Sequence, residues 1–209
     1  MKIKKVLKSP YLWAFIIGIF SLHIVREMAM RRRNAPDPMV LVPTWQLIDQ
    51  NGQARGQKDS LGKVVIADFF FTSCPTICPK LTEAMKEVYA RFEDKNEQVE
   101  FLSITVDPET DSPEVLKKFM ERSGIDYPNW HCLTGSKKEI YDVVVEKMRV
   151  HLGEREYLPN APGVYDIPHM AHLALFDQRG ALRGLFKTEP VEMAALVRAA
   201  NFLLEKPDA

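Results

Sequence analysis

The run Val64–Phe71, VVIADFFF, constrains this chain more than any other stretch of its length. It has the length of a strand and is rich in β-branched and aromatic residues, without the alternation of a strand that keeps one wet face. It therefore belongs at the centre of a sheet covered on both sides. Pro79–Glu93 follows with apolar residues at Leu81, Met85, Val88, Tyr89 and Phe92, a helical spacing. A buried strand feeding an amphipathic helix is the start of an open α/β sheet.

The remainder continues that alternation. Val99–Val106 reads as a strand, and Pro113–Arg122 as a helix with proline at its first position and Ser112 as its cap. Trp130–Leu133 reads as a short strand ended by Thr134-Gly135, and a helix starts at Ser136 and runs to about Val150. After an irregular stretch come strands at about Met170–Phe176 and Leu182–Lys187, turned by Gln178-Arg179-Gly180, then a closing helix over Val191–Leu204. This order predicts a thioredoxin-like α/β fold. It has a mostly parallel central sheet, an antiparallel C-terminal hairpin and helices on both faces.

The 28 basic and 28 acidic residues cancel overall but are unevenly placed. Residues 1–33 hold eight basic groups against Glu27 alone, which leaves 20 basic and 27 acidic residues in the body. An acidic body lacks the positive field that a phosphate backbone requires, so nucleic acid is not an expected partner. Residues 10–25, PYLWAFIIGIFSLHIV, carry no charge and follow a Lys-rich start. No small-x-small cleavage site follows, so a retained anchor is expected rather than a cleaved signal. The expected organisation is a short cytoplasmic basic tail at 1–9, a transmembrane anchor at 10–28, a linker at 29–40 and the folded domain at 41–209. His23 is then a tolerated anchor residue.

Cys74 and Cys78 lie where the central strand gives way to its helix, in Thr72-Ser73-Cys74-Pro75-Thr76-Ile77-Cys78-Pro79. Ligands in such sheets gather at the carboxyl ends of parallel strands. A helix amino end offers unpaired N–H groups and partial positive charge, so both sulfurs are expected to be reactive at neutral pH. Residues four apart on a helical turn share a face, which suits a disulfide or two thiolates on one ion. A soft cation such as Cu(I) favours thiolate and imidazole. The pair lacks the four ligands of structural zinc, and Cys132 reads as a buried small hydrophobe. The plainer alternative is a permanent staple of loop to helix. Redox or metal chemistry of paired cysteines suits the extracytoplasmic side, which sets the expected topology.

Among the histidines, His131 and His151 read as surface or strand-end residues. In Asp166-Ile167-Pro168-His169-Met170-Ala171-His172, the chain enters the penultimate strand near the first helix's amino end. Alternation sends His169 and His172 to opposite faces, so one is a ligand candidate and the other is not.

With these residues assembled, the sequence resembles the Sco/SenC family of membrane-anchored copper-binding proteins that help to assemble cytochrome c oxidase. Phe70-Phe71-Thr72-Ser73-Cys74-Pro75-Thr76-Ile77-Cys78-Pro79 matches the family's CxxxCP site. Ser103–Pro113 matches its DPxxD-S/T-P segment, and Trp130 with Leu133-Thr134-Gly135 its W-x-x-LTG. His169, eight residues before Asp177, fits the family's ligand histidine. The resemblance spans about residues 40–205. It implies copper, Cu(I) and/or Cu(II), held by Cys74, Cys78 and His169. It also implies the CuA domain of oxidase subunit II as partner, and Cys74 and Cys78 as a redox pair. The protein would be a metallochaperone rather than an enzyme.

The family commonly has Asp-His-Ser where this chain has Pro168-His169-Met170, so His172 remains the alternative ligand and Asp166 the candidate to orient the ring. By resemblance Asp107 and Asp111 lie near the site. Asp107 is read as a supporting or docking acid, and Asp111 as a turn former and helix cap. Two rival functions remain. An extracytoplasmic thiol–disulfide reductase would work without copper, and a tethered scaffold would need no cysteines. A peroxidase is disfavoured because Phe71 stands where a hydroxyl residue is needed.

Overall fold

The computed structural model describes residues 10–31, 36–75, 77–158, 161–169 and 171–207. The chain forms two compact units, Met1–Asn34 and Ala35–Ala209. The first contains helix α1, Pro10–Arg31. Tyr11, Phe15, Ile17, Phe20, Leu22 and Val25 of this helix are exposed. Among the described residues no helix is long and apolar enough to cross a membrane. The expected span at 10–28 thus forms its helix without reaching the hydropathy of a span. Arg26, Glu27 and Arg31 fall inside the helix, and its sixteen uncharged residues rise only about 24 Å against a hydrocarbon layer of ~30 Å. The basic tail at 1–9 lies outside the described residues, as do positions 32–35 of the linker.

In the second unit, strands β1 (Val40–Leu41), β2 (Gln46–Asp49) and β3 (Ala54–Gly56) and a short helix α2 (Gln57–Ser60) precede the central strand. Then come β4 (Val64–Phe70), α3 (Cys78–Tyr89), β5 (Val99–Thr105), α4 (Pro113–Arg122) and β6 (Trp130–Thr134). Helix α5 (Lys137–Tyr141) runs into a π-helical turn, Asp142–Lys147. A two-stranded ribbon of β7 (Glu156–Tyr157) and β8 (Tyr165–Asp166) follows, then β9 (Leu173–Phe176), β10 (Ala181–Phe186) and α6 (Pro190–Glu205).

The main sheet has the order β1-β10-β9-β4-β5-β6-β2-β3. Only β4–β5 and β5–β6 pair in parallel, and every other neighbouring pair among the described residues is antiparallel. The sheet is therefore mixed, where a mostly parallel one was expected. Parallel pairing needs a long crossover, which α3 and α4 supply. The short connections β2–β3 and β9–β10 can only return antiparallel, and the strands before Val64 were not expected at all.

Every residue of β4 and of β5 is buried, as a centre covered on both faces requires. Helix α3 packs on β4 and on α6, and α6 also covers β10. The rings of Phe119 on α4 and Phe70 on β4 lie 4.9 Å apart. Helix α4 has its expected bounds and cap: Ser112 Oγ accepts from the Val115 N–H at 3.4 Å. The expected C-terminal hairpin forms as well. Asp177 Oδ1 accepts from the N–H groups of Arg179 and Ala181, and Gly180 takes the φ of +81° that closes the turn.

Candidate metal centre

Strands β4 and β5 run in parallel to Phe70 and Thr105, so the loops behind them open at one end of the sheet. In the first, the Cys74 N–H donates to the Phe71 carbonyl at 3.2 Å. Cys78 is the first residue of α3, and its N–H points at Cys74 Sγ, 3.4 Å away. Pro79 takes the opening turn, where its missing N–H costs nothing. The structure thus joins Cys74 and Cys78 as read from their spacing. Both are buried, and none of the three cysteines is in a disulfide.

The helix end does not activate both sulfurs. Its first N–H favours negative charge on Cys74 Sγ. The Cys78 thiol is instead pushed far up, first by its hydrogen bond to Cys74 and then by burial. The Cys78 thiol thus keeps its proton, while the first N–H of the helix is directed at Cys74 Sγ. Beneath them Asp68 on β4 is pushed up to about 7 by burial, against a hydrogen bond from Ser103. Cys132, fully buried on β6, is also pushed up by burial, in keeping with its reading as a packed hydrophobe.

Because β9 runs antiparallel to β4, residues before Leu173 travel toward the carboxyl end of β4. This brings His169 to Phe71, their rings edge to face at 5.9 Å. A bridge between His169 and Leu152 fixes the backbone there. His169 Nδ1 lies 2.6 Å from the Ile167 carbonyl, which can only accept, so Nδ1 carries the proton. In the neutral ring Nε2 has the lone pair, and among the described residues it is buried with no hydrogen-bond partner. Asp166 does not orient the ring, since its Oδ1 accepts from the Ile167 N–H. His172 is half-buried with an unpartnered Nδ1. Among the described residues no three His, Cys, Asp or Glu side chains are grouped closely enough to hold a metal ion. The sulfurs meet each other, and His169 meets Phe71 three residues before Cys74, but the three are not closed around one point.

His151 and His23 are exposed. His131, read as a surface or strand-end residue, is the second residue of β6 and half-buried, with Nε2 3.8 Å from Glu100 Oε1. Burial first, then Arg55, pushes it down to about 4, so it stays neutral and structural.

Asp111 is no cap. It is fully buried and accepts from the Thr72 N–H (3.0 Å), Thr72 Oγ1 (2.5 Å) and Thr105 Oγ1 (2.5 Å). It therefore bolts the cysteine loop to the end of β5. Asp107 is buried too, and it bonds Arg155 and the Tyr165 hydroxyl. Ser73 Oγ in turn donates to that hydroxyl at 2.8 Å. Arg155 and Tyr165 went unread in the sequence because they lie in a stretch without periodicity. Asp68 did carry a signal, a lone acid within a run buried on both faces.

A model of the family described as SCO1/SenC matches residues 33–202. The chain belongs to the SCO1/SenC family. It is 36% identical to the SCO1 protein homolog of Bacillus subtilis over 102 residues, covering 48% of this chain and 53% of that protein. It is similar to the structure of Bradyrhizobium japonicum ScoI with copper bound, with a TM-score of 0.66 and 28% identity, covering 78% of this chain and all of that one. It is also similar to BsSco, a Sco-family cytochrome c oxidase assembly protein described for a disulfide switch, with a TM-score of 0.64, 27% identity, and coverage of 81% and 98%. For a SCO1/SenC protein this end of the sheet offers two chemistries. Two adjacent sulfurs can attack and then resolve a disulfide, and two sulfurs with a free imidazole nitrogen can hold a soft metal ion.

Proposed function

We propose that this chain is a copper chaperone that assists assembly of the CuA centre of cytochrome c oxidase, taking copper as cargo on Cys74, Cys78 and His169. The observation that carries the reading is the free Nε2 of His169, buried beside Phe71 with its tautomer set by the Ile167 carbonyl. A buried nitrogen without a proton or a partner is a cost unless something fills it, and a metal ion does so. The copper-bound relative and the relative named for oxidase assembly support the same reading. So does the CxxxCP motif at the strand end.

Loading displaces the Cys78 proton, because only thiolate binds. Ser73 and Pro75, on either side of the buried Cys74, are exposed, so a recipient can reach the loop and exchange ligands one at a time. The folded domain then acts on the extracytoplasmic side, tethered through α1, with oxidase subunit II as recipient.

A second reading, copper-independent disulfide reduction, is favoured by the Cys78 N–H on Cys74 Sγ. The Cys74 thiolate would attack a recipient disulfide and release one recipient thiolate. Cys78 would then lose its proton and displace the other, leaving a Cys74–Cys78 disulfide and two reduced recipient thiols.

Titration of the reduced full chain with Cu(I), then Cu(II), separates the two. The copper reading expects one ion per chain with thiolate-to-metal absorption, loss of binding in Cys74→Ser and Cys78→Ser, and weaker binding in His169→Ala. Affinity should rise about tenfold per pH unit for each thiol proton displaced. Full copper affinity in His169→Ala would remove that residue from the ligand set. Absence of copper binding with intact reduction of an oxidised subunit II fragment would leave the reductase.

A further inference from the structure

Tyr165 is not a candidate ligand, yet its hydroxyl is shared by the loops that frame the site. It receives a hydrogen bond from Ser73 Oγ at 2.8 Å and donates to Asp107 Oδ2 at 2.5 Å, with Thr110 Oγ1 at 3.3 Å. Its ring stacks on Phe71 at 5.7 Å and 15°, and the Arg155 guanidinium lies 4.4 Å from the ring centre on an arm that also reaches Asp107. Phe71 is thus wedged between Tyr165 and His169. Ser73 precedes Cys74 directly, and Tyr165 precedes His169 by four residues. The phenol therefore links the segment carrying the imidazole to the loop carrying the first sulfur.

A tyrosine placed only for packing would bury its ring and leave its hydroxyl to water. Here the ring is half-buried, while the hydroxyl has three protein partners, one of them a carboxylate that is itself buried. We propose that Tyr165 is a positioning residue, whose hydroxyl sets how far His169 rests from the cysteine loop and so how readily the imidazole closes on copper. The proposal rests on the copper reading. It assigns a residue that touches no metal a share of the metal affinity, through the partners of its oxygen.

The test uses the reduced full chain, with Cu(I) affinity from competition against a chromophoric Cu(I) chelator and the Cu(II) site from its electron paramagnetic resonance spectrum. Tyr165→Phe keeps both ring contacts and deletes the shared oxygen. It should bind Cu(I) about tenfold more weakly, in the range found for groups that orient metal ligands. Its Cu(II) spectrum should change, and the midpoint potential of the Cys74–Cys78 couple should stay at the wild-type value. In a His169→Ala background the same substitution should cost nothing further, because the effect runs through that imidazole.

Ser73→Ala breaks one of the three bonds and should show a smaller loss of the same kind; it decides the matter if Tyr165→Phe does not fold. Wild-type affinity in both variants overturns the proposal. So does a loss that persists in the His169→Ala background, or one that moves the dithiol potential with it. A wild-type chain that binds no copper sinks the copper reading itself, whereas a copper-binding wild type with an indifferent Tyr165→Phe sinks only this inference.

Discussion

A carboxyl group in the middle of a buried strand must be neutral, paired or costly. Asp68 takes the first course. It is enclosed within β4, its Oδ1 has no hydrogen-bond partner among the described residues, and burial pushes it up to about 7. The unfolded chain ionises this group near 3.8, so between those values the unfolded state loses a proton that the folded state keeps. Stability from this residue is fully present below pH 4 and is lost as pH rises toward 7, by about 4 kcal/mol in all. Asp68→Asn has no such slope. Urea denaturation of the reduced, metal-free chain should show the variant gaining on wild type from pH 4 to 7 and holding a constant margin above that range. A margin that does not change with pH would mean that Asp68 is ionised in the fold. The sequence displayed this acid inside VVIADFFF, where the apolar pattern was strong enough to place the strand and masked the exception. That His169 lies near the cysteine end of the sheet was legible in the sequence, whereas the Ile167 carbonyl beside its Nδ1 was not, because Ile167 contributes backbone and has no residue-type signal.

Two adjacent residues show how much a helix start depends on the rest of the fold. Either Asp111 or Ser112 could cap α4 by residue type, and only Ser112 does. Ser112→Ala should cost about 1 kcal/mol, the ordinary loss of a cap. Asp111→Ala leaves the N–H and hydroxyl of Thr72 and the hydroxyl of Thr105 without their acceptor, and should cost about 3 kcal/mol or more. Denaturant midpoints of the two variants check the order, and equal losses would return Asp111 to the role of a local cap. Elements with many periods were legible in this way: β4, β5, α4 and α6 each repeat their pattern often enough to be read. β1, β7 and β8 are two residues long, too short for any alternation; β1 exists because the distant β10 supplies its hydrogen bonds, and β7 and β8 supply each other's. Tyr165 lies in β8 and Arg155 just ahead of β7, so the part of the site that was not legible in the sequence is built around a ribbon too short for any periodicity. The sheet's mixed direction escaped as well, since strand order says little about which edge a short hairpin joins.

Over the whole molecule, the core of the second unit is complete within Ala35–Ala209. Its outermost strand is tied down locally: β1 pairs with β10, and Arg183 bonds the Pro36 carbonyl at 2.8 Å. In α1 the exposed apolar residues run all round the helix rather than along one stripe. A helix that is apolar on every side stays in water only at a cost, and one without a polar face is not built to lie flat at an interface. No described helix is long and apolar enough to cross a membrane, and the uncharged stretch of α1 falls about 6 Å short of the usual hydrocarbon thickness; membrane attachment through it is part of the proposed function and is open to test. Local thinning and the reach of the flanking arginine and lysine stems can take up a gap of that size. The expected outcome is therefore a clean separation of two properties. A chain starting at residue 35 should unfold at the same temperature and bind copper with the same affinity as the full chain, yet remain in the supernatant when membranes are pelleted. The full chain should pellet with them and resist extraction by high salt or carbonate while yielding to detergent. Extraction by salt alone would show that Lys2, Lys4, Lys5 and Lys8 hold the chain to anionic headgroups with no insertion of α1. A lower unfolding temperature in the shortened chain would mean instead that the first unit supports the second.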